Sequence, residues 1–205
     1  MGQGRLDVTG NSEEIRRAAC DLVSKLQEGD EFIGVSLPVF WLPNNIGTNG
    51  GFLTQCRNAA ARGAIVRRVF LIDERLLDKH LRAIVSTQLS SVASLDPVSR
   101  SRFAVRYRLL SSEQRRAQVA AGRHFGLLVK EGATTSMSPV YDGDDNLVTL
   151  RFRSGARHVD GLREIFEDLW SKAMPLADLR LQNSAVDVDV LATSAAPLCA
   201  QAPAV

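Results

Sequence analysis

His124 is the one imidazole in this sequence that opens a short apolar segment, and Arg123 stands directly beside it. An imidazole so placed can serve as a nucleophile or an acid when a second group orients it and cations meet the developing charge. Candidate cations are plentiful. Arg106 and Arg108 alternate along one segment, and Arg151 and Arg153 along another. Guanidinium groups bind phosphate oxygens in pairs, so Arg106, Arg108, Arg123, His124, Arg151 and Arg153 are expected to form a phosphate-binding set. Between residues 100 and 123 seven arginines accompany a single acid, Glu113.

Other chemistries are excluded by spacing. Cys20, Cys56 and Cys199 form no Cys-x-x-Cys pair and have no histidine at ligand distance, so neither a structural zinc site nor any other metal is expected. Asp142, Asp144 and Asp145 lack the spacing of a calcium loop. The glycines at 47–51 have no Lys-Ser or Lys-Thr after them, no dinucleotide fingerprint occurs, and no cofactor is expected. His80 and His158 read as structural histidines.

Elements must position these groups. The chain has 205 residues, 45% hydrophobic and 23% charged, with a net charge of +2, enough for one domain with its own core. A helix is expected from Asn11 or Ser12 to about Gly29, followed by a buried strand at 32–37. A loop follows at 42–51, with Phe40 and Trp41 packing beneath it. Further elements are a helix at 52–62, a strand at 64–72, a helix at 74–89, a strand at 103–109, a short helix at 112–121 and a strand at 124–129. A hairpin joins 136–140 to 147–153 through a turn at 141–146, and a closing helix spans 159–173. This order predicts an α/β fold with a mixed, largely parallel central sheet sandwiched by helices. Residues 1–11 read as an N-terminal extension, 12–182 as a single domain and 183–205 as a flexible tail. No apolar run approaches the roughly 20 residues of a membrane span, and the N-terminus shows no signal peptide; a cytoplasmic protein is expected.

Residues 62–73 (Arg-Gly-Ala-Ile-Val-Arg-Arg-Val-Phe-Leu-Ile-Asp), the Phe166-Glu167-Asp168-Leu169-Trp170 helix and the order of elements resemble one half of the phospholipase D superfamily, over about residues 12–174. That family carries His-x-Lys-x-x-x-x-Asp. The resemblance implies that its histidine attacks phosphorus, its lysine binds phosphate oxygens and its aspartate supports the histidine. Here His124 matches the histidine, Gly126 stands at the lysine position, and Glu131 at the aspartate position. A glycine holds no phosphate, and one lost electrostatic donor costs about 100- to 1000-fold in rate. His124 and Glu131 are therefore read as catalytic remnants. The expected function is a pseudoenzyme-like domain recognising a phosphate-containing ligand or a protein partner. Two alternatives stay open. One is a phosphodiesterase, nuclease or phosphatidyl transferase using His124, for which the family's two motif copies would require a homodimer. The other is an arginine-rich nucleic-acid binder, which the low net charge disfavours.

Overall fold

Alternating apolar segments build one eight-stranded sheet, in the order β1-β7-β6-β5-β2-β3-β4-β8. The computed structural model describes residues 4–37, 51–76, 92–142 and 147–178. The strands are β1 (Arg5–Thr9), β2 (Glu31–Ser36), β3 (Ile65–Asp73), β4 (Phe103–Leu110), β5 (Phe125–Lys130), β6 (Ala133–Tyr141), β7 (Leu147–Ser154) and β8 (Met174–Pro175). The helices are α1 (Ser12–Val23), α2 (Gly51–Ala61), α3 (Pro97–Ser101), α4 (Ser112–Ala120) and α5 (Ala156–Ser171).

The sheet is mixed, as the alternation of elements predicts. Its parallel part is smaller than "largely parallel" implies. Only β2–β3 and β3–β4 pair in parallel, where helical crossovers connect them. The remaining pairings, β1–β7, β2–β5, β4–β8, β5–β6 and β6–β7, are antiparallel. Strand β6 begins at Ala133, earlier than the strand expected at 136–140, and forms a hairpin with β5. Its turn uses Glu131 at φ 51° and Gly132 at φ 79°, two successive left-handed residues that suit the twist of a tight hairpin.

Two further differences have local causes. Residues 5–9 are no extension: β1 is an edge strand of the domain, paired along its length with β7. Its two apolar positions, Leu6 and Val8, are too few to announce a strand. Helix α1 ends at Val23, well before Gly29, where the chain tightens into i→i+3 turns and the Arg62 guanidinium donates to the carbonyls of Ser24 and Leu26 at 2.8 and 3.0 Å. Its start follows expectation: Asn11 accepts from the Glu13 and Glu14 amides, and Glu14 returns a bond to the Asn11 amide.

Each sheet face has its own core, so the domain has three layers. Ile15, Phe32, Phe52, Cys56, Leu150 and Phe152 cluster on the face covered by α1 and α2. Ile33, Val69, Leu71, Phe125, Leu127, Phe166 and Leu169 cluster on the face covered by α5. Gly51, placed in the expected loop, begins α2; residues 42–50 of that loop, residues 77–89 of the expected third helix, Phe40, Trp41, His80, Asp144, Asp145 and the tail lie outside the described residues.

Candidate functional site

A cleft of about 980 Å³ opens at one end of the sheet, where β2 and β6 finish and β5 begins. Ligand sites in open α/β sheets gather at such strand ends. Helix α4 brings Arg115, Arg116 and Val119; β7 brings Arg151 and Arg153; α5 brings His158 and Leu162. Leu37 follows β2, His124 precedes β5, and Ser138 to Tyr141 come from the end of β6. The pleat explains why β7 contributes only alternate residues. Leu150 and Phe152 point into the α1–α2 core, which turns Arg151 and Arg153 to the other face. On β6 a register shift between Val140 and Tyr141 re-aims the last residue of the strand.

His124 lies at the wall of this cleft, only 7% exposed. Its ring stacks on Tyr141, with centroids 5.7 Å apart and planes 15° from parallel, and Nδ1 is 3.4 Å from the Tyr141 hydroxyl. Burial, reinforced by the nearby Arg68 charge, pushes the His124 pKa down to about 3. The imidazole is therefore neutral at neutral pH. Arg68 is itself fully buried: its Nη2 donates to Ser36 Oγ at 3.4 Å, and its guanidinium lies 4.8 Å from the Phe70 ring centroid. Burial lowers its pKa to about 10, which leaves it charged at neutral pH.

The position two residues after His124 is closed. A Cβ on Gly126 would stand 2.8 Å from Phe32 Cε2 and 3.0 Å from Met137 Cε. The Phe32 ring also covers Gly34 on its own strand and is pinned edge-on by Phe52 at 5.4 Å. An aromatic ring fills the space into which a lysine side chain would have to grow.

Glu131 does not support His124. It sits in the β5–β6 turn, beyond the far end of a six-residue strand, or about 20 Å away at 3.3 Å per residue. Its side chain is 83% exposed, 3.8 Å from Lys130 Nζ, and its amide donates to Asp30. The linear spacing of the motif and the geometry of the strand place the two groups at opposite ends.

The expected arginine set divides. Arg151, Arg153 and His124 meet at the cleft. Arg106 does not line it: Nη1 donates to the Trp170 carbonyl at 2.8 Å and the guanidinium lies 4.4 Å from the indole centroid, fastening the end of α5 to β4. Arg108 and Arg123 also stand off the cleft. Both lie near Asp168, whose pKa is lowered first by its hydrogen bond from Lys172 and also by these two charges. Arg123 donates to Gln118 as well.

Sequence reading missed Arg115, Arg116, Tyr141 and His158 as cleft residues. The arginines belong to the basic run at 100–123, and their place in the helix directly after β4 was the available signal. His158 Nε2 lies 3.1 Å from Ser136 Oγ; burial and the Arg153 charge lower its pKa. Arg115 Nε is 3.6 Å from Asp73, and Arg151 Nε is 3.4 Å from Asp7. Among the described residues Arg116 and Arg153 have no carboxylate partner, and no cluster of three or more His, Cys, Asp or Glu side chains is arranged to hold a metal ion.

The residues carrying the family resemblance are structural. Arg67, in the middle of the 62–73 segment, bonds Glu31 at 2.9 Å and Glu167 at 2.8 Å, and stacks over Phe166 at 5.1 Å. Both soft patterns thus meet in one contact between β3 and α5.

No family model and no curated protein matches the chain. Among solved structures it is similar to NucT from Helicobacter pylori, with a TM-score of 0.51, 8% identity, and coverage of 85% of this chain and 99% of that one. The likeness is one of fold: a mixed α/β sheet covered by helices on both faces. A phospholipase D family member, Nuc from Salmonella typhimurium, aligns with a TM-score of 0.49 and 13% identity over 85% of this chain and 98% of its own. The archaeal chromatin protein TrmBL2, described with a novel mode of DNA binding, aligns with a TM-score of 0.49 and 14% identity over 83% of this chain. The chain spans about half, 53%, of that protein's length. Among the described residues no helix is long and apolar enough to cross a membrane.

Proposed function

We propose that this phospholipase D-like domain binds a phosphate-bearing ligand in the arginine-lined cleft and does not cleave it. The convergence of Arg115, Arg116, Arg151 and Arg153 on one cleft carries the reading. Guanidinium groups in a partly buried setting hold phosphate oxygens through paired, charge-assisted bonds. The Phe32 ring over Gly126 supports the absence of cleavage, because it leaves no room for a cation two places after His124. The neutral His124 packs against Tyr141, and Glu131 lies too far away to orient it. Under this reading the protein acts in the cytoplasm, and a second copy or another protein receives the ligand-bound state.

Calorimetric titration of the full chain with inorganic phosphate and ribose 5-phosphate tests binding. Each lost charge-assisted bond is worth about 1.5–3 kcal/mol, so Arg153→Gln should weaken ribose 5-phosphate about tenfold or more. Hydrolysis of bis-p-nitrophenyl phosphate tests the second half of the proposal. Turnover that disappears in His124→Ala would establish the phosphodiesterase reading instead, which the position of His124 at the cleft wall favours.

A further inference from the structure

The proposed anion site has a charge balance and a wall chemistry that narrow its ligand. We infer, building on the phosphate-binding reading, that the cleft takes a mononucleotide: a phosphomonoester dianion carrying a planar base.

Charge sets the first limit. Asp73 stands against Arg115 at 3.6 Å, and Asp7, which also takes Arg5, against Arg151 at 3.4 Å, so these two guanidinium groups are partly balanced. Arg116 and Arg153 have no carboxylate partner among the described residues; Asp142 in the lining offsets part of their charge, and the cleft stays net positive. A phosphomonoester, carrying about −1.5 to −2 at neutral pH, is an anion suited to such a cleft. A nucleic-acid strand needs cations continuing along its backbone. Here Asp142 joins the lining, Arg106 is bound to Trp170, and Arg108 and Arg123 stand outside the cleft lining. These three arginines therefore do not extend the cleft lining among the described residues.

Size and wall chemistry set the second. About 980 Å³ is at the upper end of the roughly 300–1,000 Å³ of small-ligand sites and far more than inorganic phosphate fills. Leu37, Val119, Pro139 and Leu162 supply an apolar wall that a sugar phosphate alone would leave uncovered and in contact with water. Tyr141 lies there too, its plane fixed by stacking on His124. A fixed aromatic plane beside apolar side chains and free guanidinium groups suits a ligand with a flat face at one end and a dianion at the other.

The test is calorimetric titration of the full chain with the four common 5′-mononucleotides, ribose 5-phosphate, adenosine and a single-stranded oligonucleotide at two salt concentrations. At least one mononucleotide should bind about tenfold or more tightly than ribose 5-phosphate, as stacking worth about 1–3 kcal/mol implies. Tyr141→Leu should bring that mononucleotide to the level of ribose 5-phosphate, while Tyr141→Phe, which keeps the ring, retains the preference. Arg153→Gln should weaken mononucleotide and ribose 5-phosphate by similar factors. Equal affinity of all mononucleotides and ribose 5-phosphate overturns the ligand class but leaves the anion site standing. Absence of binding by any phosphate compound removes both. Adenosine binding as tightly as its monophosphate overturns the role of the arginines. An oligonucleotide preferred over every mononucleotide, with affinity falling steeply in salt, replaces the inference with a nucleic-acid interface.

Discussion

Phe32 Cε2 stands 2.8 Å from the point where a side chain at Gly126 would begin. The two residues belong to neighbouring antiparallel strands, β2 and β5, with Gly34 directly opposite Gly126 in the register. Phe32 is buried and held by Phe52, so it has little room to yield. Overpacking of this kind costs about 1–3 kcal/mol. Gly126→Ala should lower stability by that amount in urea denaturation. Phe32→Leu should recover part of the loss in the double variant, giving a non-additive cycle.

His124 makes stability sensitive to acid. Its folded pKa, about 3, lies below the value near 6.5 of an unfolded histidine, so the unfolded chain binds more protons between these limits. The contribution is fully present above about pH 6.5 and is lost as pH falls toward 3, by about 1.4 kcal/mol per unit. His158 acts in the same direction. Denaturation midpoints of His124→Gln should therefore fall less steeply on acidification than those of the wild type.

Arg68 acts on the same titration. Burial is the larger cause of the depressed His124 pKa and the Arg68 charge the smaller. Arg68→Met should move the His124 imidazole resonance transition to higher pH, still below the ordinary histidine value. A transition that does not move would place the guanidinium's effect elsewhere.

Arg106 and Arg153 should separate stability from binding. Arg106 holds the Trp170 carbonyl and ring, contacts worth about 1–2 kcal/mol together. Arg106→Gln should lower the melting temperature and leave phosphate-ligand affinity unchanged. Arg153→Gln should do the reverse, because Arg153 lines the cleft without an ion-pair partner among the described residues.

Legibility in the sequence follows how local each signal is. The stripe of α5, the apolar run of β2 and the cap at Asn11 are written in neighbouring residues, and all were readable. Helix α3 was not, although Asp96 and Pro97 form its cap and first turn, because five residues give no period. Residues of β1 acquire a partner only through β7, nearly 150 positions on. The site divides in the same way. Arg151 and Arg153 could be picked out because alternation with Leu150 and Phe152 fixes their face, and His124 because of its place in the His-x-Gly-x-x-x-x-Glu pattern. Arg106 obeys the same alternation yet is consumed by Trp170, a contact 64 positions away. Arg115, Arg116 and His158 reach the cleft from helices whose docking no short pattern encodes.

Strand β1 places Asp7 against Arg151, and the same carboxylate also takes Arg5 at 2.6 Å. Residues of β1 thereby trim the positive potential of the cleft from more than 140 positions away. Affinity tags fused ahead of Arg5, or deletions that strip the edge strand, would alter that trimming while sparing every cleft arginine, so recombinant versions differing only there should not be assumed interchangeable in ligand titrations.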